Sequence, residues 1–218
     1  MLVETMNHVE VYAELERDRD AMTRWWHHRR DDLVKMARRF SRFPIMVWTE
    51  YLSPRKVRYF VFTYIGGRNY WKHNAVSVIA LQNTSNGIHA YVSWVPGMKI
   101  IPTTFSPHFF QRYGERMGVK KTGIELIKHF FTQNHTSRDV ADKRFMGKSV
   151  RWKGYDSLCI CTTEGVCMGD MKDGVSMMRT FITYEMASGI QSGEFNAARK
   201  FLKSTDEMIE ERRSLSNS

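Results

Sequence analysis

The sequence predicts an α+β protein in which a largely antiparallel sheet is flanked by a long N-terminal helix and, elsewhere, by two central helices. Three observations point there. Residues 3–40 contain neither Pro nor Gly and repeat their apolar residues at helical spacing. Short runs rich in Val, Ile, Tyr, Phe and Trp then recur between turn residues. Two amphipathic segments with helix-start and helix-stop residues interrupt those runs near the middle of the chain.

In the opening segment Leu15, Met22, Trp26, Leu33, Met36 and Phe40 fall on one helical face. The stretch "ERDRD" at 16–20 marks where one long helix would divide into two. "WWHHRR" at 25–30 admits an aromatic and basic nucleic-acid surface, but a Trp pair packed on the sheet with solvated neighbours is the preferred reading.

Strands follow at "IMVWTEYL" (45–52), "VRYFVFTYI" (57–65), "AVSVIALQ" (75–82) and "IHAYVSWV" (88–95). β-branched and aromatic side chains suit a pleated, half-buried surface, and the separators "SPRK", "GGRNYWKHN" and "NTSNG" supply turns, so an antiparallel meander is expected. The second separator mixes Arg68, Tyr70, Trp71, Lys72 and His73, residue types that stack on bases and hold phosphates. Hydrophobes tucked over a sheet edge explain the same loop equally well.

"FSPHFFQRYGERMG" (105–118) encodes a helix over 107–117, with Ser106 as N-cap, Pro107 at the first helical position and Gly118 past the end. Phe109, Phe110, Tyr113 and Met117 gather on one side, and His108, Arg112 and Glu115 opposite, with Arg116 at the border. His108, Arg112 and Arg116 lie on successive turns, within reach of one anion. An ordinary solvated helix face gives the same stripe. A second helix is predicted over 121–135 and a polar loop over 136–147. Strands are then predicted from "SVRWKGYD" to "VSMMRTFITY", with turns at Glu164-Gly165 and Asp173-Gly174, and helix closes the chain.

The net charge of +10 is unevenly placed. Lys plus Arg against Asp plus Glu is 8 to 8 over residues 1–40, 7 to 1 over 41–100, 11 to 5 over 101–157 and 7 to 9 over 158–218. Such an excess favours a polyanion partner, with RNA the leading candidate. The opening "MLVETMNHVEVY" lacks the order of a secretory leader, and Cys159, Cys161 and Cys167 form no even disulfide set, so a reducing, cytoplasmic setting without a membrane span is expected.

No Walker loop, dinucleotide fingerprint or helical His-Glu-His pairing is present, and the three Cys lack the paired spacing of a zinc site. The expectation is therefore no metal and no cofactor. RNA cleavage without metal needs a base for the 2′-hydroxyl, an acid for the leaving 5′-oxygen and cations on the phosphate. His, Arg, Thr and Tyr supply all of these.

A helix bearing H-x-x-x-R-x-x-x-R, then a second helix, then a meander ending "RTFIT" resembles the barnase–EndoU–colicin–RelE group of small nucleases over about residues 103–190. The resemblance implies a metal-independent ribonuclease of phage or bacterial toxin type, a class that leaves room for an inhibitor protein. By position His108, Arg112 and Arg116 match the helix, and Arg179, Thr180 and Thr183 the strand. His108 would then move the proton, Arg112 and Arg179 hold the phosphate, and Arg116, Thr183 and Tyr184 assist. Strand alternation puts Arg179 and Thr183 on one face and Thr180 on the other. The chain divides as 1–102, helix plus meander, and 103–218, the nuclease-like part with a C-terminal helix, unless one domain runs throughout. The alternative is a non-catalytic nucleic-acid-binding or regulatory protein of phage or mobile-element type. The oligomeric state is not encoded legibly.

Overall fold

The computed structural model describes residues 1–69, 74–94, 102–135, 137–139, 156–172, 174–187, 193 and 195–204. The Pro- and Gly-free opening forms two helices, α1 (His8–Arg17) and α2 (Arg19–Arg39). Asn7 caps α1 reciprocally: its side chain accepts from Glu10 N, and the Glu10 carboxylate accepts from Asn7 N. The helices part at Asp18, which is 1% exposed. Its carboxylate accepts from Ser53 Oγ at 2.6 Å and Tyr59 OH at 3.2 Å. A buried carboxylate needs such donors, so the chain bends where Asp18 meets them.

The strands are β1 (Ile45–Leu52), β2 (Arg58–Ile65), β3 (Asn74–Thr84), β4 (Gly87–Trp94), β5 (Thr103–Phe105), β6 (Ser137–Asp139), β7 (Asp156–Thr162), β8 (Gly165–Lys172) and β9 (Val175–Thr183). Between β5 and β6 lie α3 (Pro107–Met117) and α4 (Gly123–Gln133). Residues 195–204 are helical and are labelled α5. The nine strands make one sheet in the order β1-β2-β3-β4-β5-β9-β8-β7-β6. All neighbours are antiparallel except β5 and β9, where Thr104 pairs with Met177 in parallel. The three-residue β5 therefore joins two meanders.

This is the α+β architecture that the sequence predicts, with particular corrections. The helix over 107–117 has the predicted caps: Ser106 Oγ accepts from Phe109 N at 3.2 Å, and Gly118 adopts φ 64°. Part of the loop expected over 136–147 is strand β6. Neither β5 nor β6 was legible, since three residues carry no periodicity. The strand expected at 149–156 lies outside the described residues except for Asp156, which opens β7.

Alternation along the strands splits the core. Tyr59, Ala80 and Tyr91 stand side by side on the face covered by α1 and α2, with Val11, Leu15, Met22, Trp26 and Leu33 packed against them. Ile79, Ala90 and Phe105 face α3 and α4. There aromatic rings meet edge to face, as in Phe109–Phe130 at 5.1 Å and 83° and Tyr113–Phe181 at 5.1 Å and 90°. A third cluster, Cys161, Val166 and Tyr184, sits under Phe195, Ala198 and Leu202 of α5.

The β8–β9 pairing is irregular at Arg179. Met168 pairs with Thr180 but Gly169 pairs with Met178, so Arg179 is an extra residue bulged out of register. A Cβ on Gly169 would lie 2.0 Å from the Met177 carbonyl oxygen. Glycine is thus required where the strands close in around the bulge. Met178 and Phe181 consequently share the α3–α4 face although three residues apart.

Candidate functional site

On α3, His108 is exposed and borders a groove of about 550 Å³ between the α3 and α4 N-terminal turns and the β3–β4 hairpin. Its lining includes Ile88, Phe110, Leu126 and Ile127, with Gln111 and Thr122 also present. The volume lies in the range of small-ligand pockets. Arg112 Nε donates to His108 Nε2 at 3.4 Å, and Arg112 Nη1 pairs with Glu115 at 2.8 Å. His108 and Arg112 are therefore adjacent, as their spacing predicts. Arg116 is turned elsewhere. Its Nη1 donates to Thr180 Oγ1 at 3.2 Å and to the Phe181 carbonyl, filling the edge of β9 beyond its pairing with β5.

The strand residues do not join His108. Arg179 Nε donates to Asp170 Oδ2 at 2.7 Å. Asp170 pairs with Met177, Met177 with Thr104, and Thr104 with Tyr91, a row on the α1 side of the sheet. The even alternation expected over 179–183 is broken by the bulge, so Arg179 faces α1 while Phe181 faces α3. Thr183, half-buried, ends β9 and stands just before the 3₁₀ turn Tyr184–Met186 without a side-chain capping bond to it. Tyr184 is buried, donates to the Thr162 carbonyl at 2.6 Å and carries Arg199 over its ring at 4.7 Å. It belongs to the core under α5. Arg68 is exposed just beyond β2, while Tyr70, Trp71 and Lys72 lie outside the described residues.

A second cluster, which the sequence pattern does not single out, occupies the α1 side. His8 and His89 have ring centroids 5.5 Å apart, and both rings neighbour Tyr91. Gln82 donates to the carbonyls of Val3 at 2.7 Å and Met6 at 3.2 Å, so its oxygen is left to accept from Tyr91 OH at 2.6 Å. With that proton committed, the Tyr91 oxygen accepts from His8 Nδ1 at 3.0 Å. The His8 Nε2 then carries the lone pair. Burial, then the Arg179 charge, holds His8 below its ordinary pKa. Burial, then His8, pushes His89 down to about 4. The signal for this cluster is invisible locally, because residues 8, 89 and 179 meet only through strand order.

A third feature is the outer face of α2. Met22, Trp26, Leu33 and Ala37 are buried on one side. Opposite them Arg24, His27, His28, Lys35, Arg38 and Arg39 are all exposed. Lys35, Arg38 and Arg39 make no ion pair among the described residues, whereas Asp31 and Asp32 are engaged by Arg30 and Arg29. The even count over 1–40 concealed this, since six of its eight acids precede residue 21. Trp25 stacks on Tyr51 at 4.8 Å, which places the Trp pair on the sheet as preferred from the sequence.

Among the described residues no group of three or more His, Cys, Asp or Glu is arranged to hold a metal, and no helix is long and apolar enough to cross a membrane. Cys159, Cys161 and Cys167 form no disulfide among the described residues, and burial raises the pKa of Cys159 and Cys167. Comparison with protein-family models, curated proteins and solved structures found no match to this chain.

Proposed function

We propose that this protein binds nucleic acid, preferentially RNA, through phosphate contacts along the outer face of α2. The observation that carries the reading is the exposed stripe of Arg24, Lys35, Arg38 and Arg39, set opposite the buried stripe of the same helix. From Arg24 to Arg39 it runs about 22 Å, enough for several phosphates. A basic amphipathic helix also suits a membrane surface, but insertion requires a free apolar face, and the apolar face of α2 is packed on the sheet. The separation of Arg179 from His108 favours binding over the chemistry sketched for those residues together. Replacing Arg24, Lys35, Arg38 and Arg39 with Gln should weaken binding of a fluorescein-labelled single-stranded RNA at 50 mM salt by at least 100-fold, roughly 0.7 kcal/mol for each cation removed. Equal affinity of parent and variant would rule the α2 face out.

A second reading, metal-independent RNA cleavage centred on His108, is supported by one observation: His108 borders the 550 Å³ groove with Arg112 Nε 3.4 Å away. The groove would take a base and Arg112 the phosphate, leaving His108 to receive the 2′-hydroxyl proton. RNA cutting in EDTA that His108→Ala removes, with RNA affinity retained, would establish this reading.

A further inference from the structure

We propose that His8, His89 and Arg179 form a binding site for a phosphate group, on the sheet face opposite His108, that takes up a proton as the phosphate binds. The site stands apart from the α2 stripe, so its test does not depend on the reading above.

Each of the three side chains has a polar group to spare. Arg179 is 58% exposed at the side chain and uses only Nε, on Asp170. Its two terminal amino groups are therefore open among the described residues, and these are the pair that grips two oxygens of a phosphate. His8 donates Nδ1–H into the chain of hydrogen bonds through Tyr91 and Gln82, which leaves Nε2 to gain a proton without breaking any of them. His89 Nδ1 is shut off from solvent and has no hydrogen-bond partner among the described residues. With Nδ1 closed off, Nε2 is the His89 nitrogen left for a ligand.

The groups facing this space are few. From α1 come His8 and Tyr12, the latter bonded to Thr104 Oγ1 at 3.2 Å. From β4 come His89 and Tyr91, from β9 Arg179, and from β8 Asp170. Asp170 holds Arg179 in place and lowers the net charge of the empty site, which keeps the pocket from being strongly cationic before a ligand arrives. Both imidazoles favour the neutral form in the free protein: each is partly desolvated, and the further cause is Arg179 for His8 and His8 for His89. A bound phosphate reverses that balance. Its negative charge stabilises imidazolium, and imidazolium supplies the N–H donors that a neutral ring lacks at Nε2.

The test is calorimetric titration of the full chain with sulfate, whose charge is constant between pH 5.5 and 8, with inorganic phosphate, and with a short RNA with or without a 5′-phosphate. Each is run in two buffers of different ionisation heat. Sulfate or phosphate should bind with uptake of about one proton, and affinity should rise roughly tenfold per pH unit as pH falls towards 6. Arg179→Gln and His8→Gln should each weaken binding at least tenfold, with Arg179→Lys intermediate. Free-anion binding identifies a free phosphate or terminal phosphate as the ligand. Proton-linked RNA binding that ignores the 5′ end and is lost in Arg179→Gln identifies the phosphodiester backbone. Either outcome supports the site. Anion or RNA binding without proton uptake, or unchanged by Arg179→Gln and His8→Gln in variants of unchanged melting temperature, overturns it. RNA binding lost only with the α2 substitutions also overturns it while leaving the α2 reading intact.

Discussion

The His89 imidazole makes folding stability depend on pH between its ordinary and its folded pKa. His89 has a folded pKa of about 4 against an ordinary value of 6.5, because burial and the adjacent His8 disfavour its charged form. The unfolded chain therefore binds more protons than the folded one between those values. Stability is at its full value above 6.5 and falls as pH drops towards 4. A fully desolvated ring displaced this far corresponds to about 3 kcal/mol, of which about 2 would be lost by pH 5. His89 is only partly buried, so solvent screening cuts the loss between pH 7 and 5 to about 1 kcal/mol. Glu4, Glu14, Glu115 and Glu185 titrate below their ordinary range and contribute only at lower pH. Urea unfolding of the parent and of His89→Gln at pH 7, 6 and 5 isolates the effect. The parent's midpoint should move down with pH at constant slope, and the variant's should move less. Parallel pH dependence in the two proteins would show that His89 is not held neutral by the fold.

Other predictions concern the surfaces and the packing. If four cations of α2 contact single-stranded RNA, the slope of log affinity on log salt includes about 2.8 from them, and Arg38→Gln with Arg39→Gln should reduce the measured slope by about 1.4; anisotropy titrations between 50 and 300 mM salt decide it. Gly169→Ala forces a Cβ onto the Met177 carbonyl and should cost about 3 kcal/mol or more, read as a fall in melting temperature; a variant as stable as the parent would refute the bulge. Tyr113→Phe removes the 2.7 Å hydrogen bond to Glu164, which also accepts from Asn134 at 2.9 Å, and should cost about 2 kcal/mol in urea unfolding. Loss of stability below about 0.5 kcal/mol would mean that Glu164 finds another donor.

What the sequence made legible was local. The 107–117 helix could be bounded to the residue because Ser106, Pro107 and Gly118 act within one turn of its ends. β1 was bounded equally well, since its aromatic and β-branched run is closed by Ser53-Pro54. The face of Arg179 was not legible, because alternation holds only without a bulge, and this bulge is set by a glycine on a neighbouring strand. Tyr184 offered a hydroxyl at the end of the "RTFIT" strand in sequence, yet its place under α5 depends on a helix about eleven residues further on. His8, His89 and Arg179 could not be grouped at all, since β5 brings the two meanders together through three residues.

The parallel pairing of β5 with β9 fixes the register of Tyr91, Thr104, Met177 and Asp170 in one row, so the α1 side of the C-terminal meander is continuous with the α1 side of the N-terminal one. His108, on α3, lies across the sheet from that row, with the aromatic core of Phe105, Phe109, Phe130 and Phe181 between. His89 borders both sides of this division, because it also lines the groove beside His108. Arg116 still joins the helix half of the nuclease-like pattern to its strand half, since it donates to Thr180 Oγ1, whereas Arg179 turns to Asp170 on the α1 side, so the pattern keeps one helix-to-strand contact and loses the other.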